Sequence, residues 1–217
     1  MSINSPRSSR RRGRPSGGGN TPEQARRQLV DAAESCFAER GLDITMADVA
    51  RRAGVTRAVL YRHFDGRDDL VIGVAAQVMD RHVAQVISDI TPTDDVADLI
   101  SGSLVYVATV VRRDPILVLL SSGSEHGVAS LLANSPLLSD MVTGLYEQVF
   151  ALFSDRLRGG LVPGDVGRFI LGVALALLLD VIPGADDPDT VRRYVATFVL
   201  PAIVASPPAV GPVFGSD

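Results

Sequence analysis

The chain has 217 residues and no lysine: every one of its 21 basic residues is arginine. An all-arginine set reflects coding bias as much as physics and by itself assigns no function. Cysteine is nearly absent too. Cys36 stands alone, so an intramolecular disulfide is impossible and a cysteine-based metal cage is not expected. The longest apolar stretch, from Phe169 to Ile182, is interrupted by Asp180 and falls short of the ~20 residues that a membrane span needs. It reads as a buried helix, and no membrane partner is expected. No apolar run follows the polar, arginine-rich N-terminus, so no signal peptide is expected and a cytoplasmic protein is. Alternating strand patterns and hairpin turns are missing. So are H-E-x-x-H, G-x-S-x-G and P-loop spacings, while His63, His82 and His126 fall in separate segments. The expectation is no catalysis, no metal and no cofactor.

A hydrophobic content of 46% supplies a proper core. Charge is unevenly spread along it. Residues 1–70 hold 13 arginines against 9 acids, whereas residues 71–217 hold 8 against 16, within an overall net charge of −4. A basic front and an acidic rear imply that only the front meets a polyanion.

Residues 1–20 lack apolar anchors and end in "SGGGN", which reads as a flexible arginine-rich arm. From Thr21 the pattern is helical. Thr21-Pro22-Glu23 is a helix start, Leu29, Ala32, Ala33, Cys36 and Phe37 repeat at helical spacing, and Gly41 supplies a stop. In the rear, "TPTDD" at Thr91 divides two helices, and Pro115 interrupts the second. Ser135-Pro136 opens a helix running to Gly159-Gly160, and further starts stand at Pro163 and at Asp187-Pro188. Pro201 should kink or end the last one. The fold class is therefore all-α: a small three-helix front domain over 21–66, a larger helical rear domain over 67–205, and a loose tail over 206–217.

The informative stretch is "ITMADVARRAGVTRAVLYRHFDGRDDL", Ile44 to Leu70. Thr45 caps a short helix with Asp48 three residues on, a capping-box variant. Val49 and Ala53 face inward, Ala50 is small where a second helix crosses, and Gly54 suits a tight turn. Thr56 caps the next helix and Leu60 points to the core. This is the helix-turn-helix pattern, whose second helix fits the major groove with its first residues toward base edges. Arg57 stands at that end, suited to guanine O6 and N7. Tyr61 is one turn on, Arg62 and His63 extend the polar surface toward the backbone, and Arg67 opens the following helix beside a phosphate.

From Glu23 to Leu70 the sequence resembles the TetR family of transcriptional regulators. Tyr61-Arg62-His63-Phe64 matches the family's Y-x-H/Y-F unit, and Arg67 stands where lysine is commoner. The resemblance implies a dimer on a palindromic operator, with Thr45, Tyr61, His63 and Arg67 on phosphates and Arg57 and Ala58 facing bases. Ala58 and Val59 are apolar where many members carry a polar residue or glycine, which leaves a thymine methyl contact or none.

Ahead of this unit, Arg12-Gly13-Arg14-Pro15 is the R-G-R-P core of an AT-hook, so Arg12 and Arg14 are candidates for a narrow A·T-rich minor groove. The rear is greasy. Phe169, Leu171, Leu175 and Leu178, with Val191, Tyr194 and Phe198, are expected at a two-fold interface, as the family also implies. Where the family keeps its ligand cavity, Tyr106, Thr109, Glu125, His126 and Tyr146 are polar groups set among apolar ones, and a small lipophilic effector is expected. The function expected is a repressor that the effector releases from duplex DNA. The alternatives are an A·T-selective architectural protein and a helical carrier of lipophiles.

Overall fold

The computed structural model describes residues 21–90, 93–122 and 134–214. Among these every long element is helical, and the one β-type contact is an isolated bridge between Leu157 and Val204. Helix α1 is Pro22–Arg40, α2 is Met46–Arg52, α3 is Arg57–Tyr61 and α4 is Arg67–Ile90. The first three starts are chemically specified. Thr21 and Gln24 form a full capping box on α1, Thr45 and Asp48 form one on α2, and the Thr56 hydroxyl accepts from the Val59 amide on α3.

The α2–α3 turn explains Gly54. The Val55 amide donates to the Ala50 carbonyl at 2.9 Å and the Gly54 amide to Arg51 at 3.2 Å, with Gly54 at φ +69°. This is a Schellman closure, and its left-handed position is one that a Cβ would strain. It sends α3 off across α2, with Leu60 fully buried beneath and Val49 and Ala50 on the facing side.

The rear comprises α5 (Val96–Thr109), a 3₁₀ turn at Val111–Arg113, α6 (Pro115–Ser122), α7 (Pro136–Phe153), α8 (Pro163–Leu178) and α9 (Pro188–Tyr194). A π turn at Val195–Val199 carries α9 into a short last helix, α10 (Leu200–Ile203). Pro201 therefore does not stop the helix. The ring of a proline clashes with the carbonyl four residues back and brings no N–H, and the wider π turn, closed by Leu200 donating to Val195, relieves both. Helices α7 and α8 cross closely at Gly167, where a Cβ would come within 3.3 Å of the Thr143 backbone.

Two expected boundaries move. The second rear helix ends at Thr109, well before Pro115, which instead starts α6 with the Asp114 carboxylate capping the Ile116 and Leu117 amides. Helix α7 ends at Phe153 rather than at the glycine pair. Residues 206–214, expected to be loose, run back along α9. Val213 is buried, Phe214 meets Tyr194 with ring centroids 6.5 Å apart, and the Thr197 hydroxyl donates to Gly211.

The hydrophobic cores do not divide at residue 66. One joins α1–α4 with Val111 and α6 residues Ile116, Leu117 and Leu120; the other joins α5, α7, α8, α9 and α10. Helix α6 is a rear element by sequence and a front element by packing.

Candidate nucleic-acid interface

Helix α3 is five residues long, so its orientation depends on what holds it. Leu60 and Phe64 supply the apolar anchor, both essentially inaccessible. Arg26 of α1 supplies the polar one. Its guanidinium donates to the His63 carbonyl just past α3, lies 4.1 Å over the Phe64 ring and reaches Asp69 of α4 at 3.5 Å. Sequence reasoning missed this residue. Its signal was an arginine on the inward-leaning side of α1, which only contact geometry could interpret.

Four further arginines of the front unit are engaged within the protein. Arg27 pairs with Glu23, Arg40 and Arg51 converge on Asp48 at 3.0 and 2.5 Å, and Arg52 forms a two-pronged pair with Glu39 at 2.5 and 2.6 Å. The Thr45 hydroxyl and amide, followed by Arg40, hold the Asp48 carboxyl far below the usual carboxylate range. Arg52 likewise lowers Glu39.

Arg57 and Arg62 differ. Both are exposed on α3 and its C-terminal cap, and among the described residues neither has an ion-pair or hydrogen-bond partner. Ala58 is exposed beside Arg57, Tyr61 is 51% exposed, and His63 is half-buried. Arg57, Ala58, Tyr61, Arg62 and His63 are thus brought together on one short helical segment. Thr45 and Arg67 have other duties. The Thr45 hydroxyl donates its one proton to Asp48 at 2.7 Å, so a phosphate contact through it requires an exchange of partners, whereas Arg67 donates to the Leu42 carbonyl at 2.6 Å and keeps further N–H donors. Arg12 and Arg14 lie outside the described residues.

With this geometry in hand, residues 29–74 match the family model for bacterial regulatory proteins of the tetR family. The HTH-type transcriptional repressor Rv1474c of Mycobacterium tuberculosis is 30% identical over 172 residues, covering 75% of this chain and 84% of its own. The chain belongs to the TetR family of transcriptional regulators. A second M. tuberculosis relative, the HTH-type transcriptional regulator MT1294, is 28% identical over 188 residues, 83% of this chain and 86% of its own. The R. erythropolis TetR-family repressor QsdR shares the fold, with a TM-score of 0.62 at 23% identity over 80% of this chain and 93% of that one. Like other TetR-family members, the chain is a DNA-binding regulator of transcription.

A second candidate site lies in the rear of this TetR-type chain. A cavity of about 240 Å³ opens at the seam between the two cores. Met79 of α4, Leu117 and Leu120 of α6, Met141 of α7 and Leu171 and Leu175 of α8 contribute to its wall. Seams between packed units are where ligand sites concentrate. Of the polar residues expected in a pocket, none of the three described ones, Tyr106, Thr109 and Tyr146, lines it. Tyr106 bonds His82 at 3.1 Å, Thr109 donates to its own helix at the Val105 carbonyl, and Tyr146 is buried in the rear core, where desolvation raises its hydroxyl pKa. Glu125 and His126 lie outside the described residues.

The expected dimer face also divides. Leu171, Leu175 and Leu178 line the cavity, and Val191 is wholly buried within the protomer, whereas Phe169 and Phe198 are 41% and 53% exposed and Tyr194 is half-buried beside Phe198. A stretch as apolar all round as Phe169–Leu178 of α8 gives no sequence signal for which stripe faces its own protomer.

Polar contacts connect the two sites along α4. Gln77 and Arg81 reach Asp31 and Glu34 of α1, and Arg81 lowers the Glu34 pKa. The next residue, His82, contacts Tyr106 of α5 at 3.1 Å and Asp114, the cap of α6, at 3.2 Å. Among the described residues there is no cluster of metal-ligating side chains and no helix long and apolar enough to cross a membrane.

Proposed function

We propose that this TetR-family chain is a repressor that binds a palindromic operator as a homodimer and leaves it when a small lipophilic effector occupies the seam cavity. The observation that carries the DNA reading is the pair Arg57 and Arg62, exposed and unpartnered on α3 while the arginines around them are engaged. Phosphate oxygens and guanine edges are what such guanidiniums lack. Arg57 and Ala58 face bases; Tyr61, Arg62, His63 and Arg67 take the backbone, with Thr45 joining after exchange.

Two copies join through Phe169, Tyr194 and Phe198, exposed or half-exposed aromatics on neighbouring helices. Dimerisation sets the α3 helices about 34 Å apart, matching successive major grooves. An effector that prefers one arrangement of α6 against α7 and α8 shifts α4 through the His82–Asp114 contact and spoils that spacing. The arm adds Arg12 and Arg14 in the minor groove. The units are 21–66 for DNA and 67–205 for ligand and pairing.

Selection of bound fragments from genomic DNA by the purified full chain tests the reading. A sharp palindrome supports the repressor. Broad A·T-rich binding would instead favour an architectural protein, and a monomer that ignores duplexes at low salt would leave only a lipophile carrier. Deleting residues 1–19 should flatten the slope of log affinity against log salt.

A further inference from the structure

The seam cavity is lined by leucine, methionine, valine and alanine except for one charged residue, Arg112 of the 3₁₀ turn, among the described residues. The two ends of its guanidinium fare differently. Nη2 meets the Asp180 carboxylate at 2.9 Å, while Nη1 is buried and has no hydrogen-bond partner among the described residues. A buried cationic donor without an acceptor is costly, and the costs are largest where apolar walls keep the local dielectric low.

Asp180 is itself unusual. It closes α8 in a Schellman arrangement, with the Val181 amide donating to Ala176 at 2.9 Å, and it adopts φ +58°. Glycine takes that conformation without strain. The carboxylate is what the strained residue contributes, and it is 62% exposed, so its pairing with Arg112 is weak and readily exchanged.

From the apolar wall, the unsatisfied donor and the exposed, exchangeable carboxylate, we propose that the cavity binds a lipophilic carboxylic acid. The hydrocarbon part packs against α6, α7 and α8, and the carboxylate bridges the Arg112 guanidinium, giving Nη1 an acceptor and taking Nη2 from Asp180. A volume of about 240 Å³ holds about eight carbon-sized groups at the ~30 Å³ of a water-sized unit. The inference rests on the reading of the cavity as the effector site and specifies the ligand's chemistry.

Titration calorimetry of the full chain with octanoate, octanol and octylammonium tests it. Octanoate should bind about tenfold tighter than octanol, the margin of a charge-assisted hydrogen bond in a sheltered site, and octylammonium weakest. Arg112→Gln should bring octanoate down to the octanol level without changing octanol. Asp180→Asn should tighten octanoate alone, and this variant carries the test if Arg112→Gln does not fold. Equal affinities for octanoate and octanol, a preference that survives Arg112→Gln, or an octanoate affinity unmoved by Asp180→Asn overturn the acid assignment. In those cases octanol binding that is lost in Leu175→Trp keeps the cavity as the effector site. No saturable binding by any probe, or octanol binding indifferent to Leu175→Trp, overturns the cavity reading and the acid assignment together.

Discussion

The front unit and the rear helices each contain a cation that the protein leaves incompletely satisfied, and they leave it in opposite places. In front, Arg57 and Arg62 are exposed to water on α3, ready for a large anionic partner at no desolvation cost within the free protein. In the rear, the Arg112 Nη1 is buried without a hydrogen-bond partner among the described residues, in a side chain that contributes to the wall of the apolar seam cavity. Around both, neighbouring charges are neutralised: Arg40, Arg51 and Arg52 by Asp48 and Glu39, and the second end of Arg112 by Asp180. On the proposed reading, the difference teaches that recognition is set by which donors lack an internal partner, more than by the density of arginine.

The comparison breaks first if the front loses its scaffold. Phe64→Ala should cost about 3–5 kcal/mol of stability, the range for truncating a buried aromatic, and abolish operator binding because α3 loses its anchor. Chemical denaturation read with a gel shift checks both.

Next comes the contrast between free and engaged arginines. Arg57→Ala should weaken operator binding by about 1–3 kcal/mol with an unchanged melting temperature. Arg52→Ala, which removes a partner of Glu39, should have the smaller effect on DNA; if it matches Arg57→Ala, pairing does not separate the two groups.

Thr45 separates capping from contact. Thr45→Ala should lower stability by about 1 kcal/mol through loss of the α2 cap, while Thr45→Ser, which keeps the hydroxyl, should be near neutral in the same melts. Operator binding lost equally in both variants would indicate a role other than capping.

The smallest effect is in acid. The carboxyl pKa values of Asp48, Glu34 and Asp187 are lowered in the folded chain, by Thr45, Arg81 and Thr190 respectively. Their contribution is present above the ordinary carboxylate range near pH 4 and is lost as pH falls through the depressed values. Melting temperature should stay level from about pH 8 to 5 and decline below about pH 4. Asp48→Asn should be less stable at neutral pH and show a shallower acid decline.

Much of the front was legible in the sequence. Thr45, Asp48, Gly54, Thr56 and Leu60 act within a few residues of one another, and capping and turn chemistry are local, so their spacing was enough. Arg26 was not legible, because it reaches 37 residues along the chain to His63. In the rear, helix starts at Pro136, Pro163 and Pro188 could be read, but the pocket residues could not. Tyr106, Thr109 and Tyr146 have the right chemistry and are used elsewhere, and the cavity wall came from leucines assigned to the dimer face.

By itself the sequence determined the helical class, the helix-turn-helix and its outward face, since these depend on hydrogen bonds and periodicities spanning a few residues. Tertiary structure alone decided which arginines are engaged, that α6 joins the front core, and which stripe of the apolar Phe169–Leu178 stretch of α8 lines a cavity. Those outcomes depend on contacts between segments far apart in the chain, and a helix greasy on every side is compatible with several of them until its neighbours are in place.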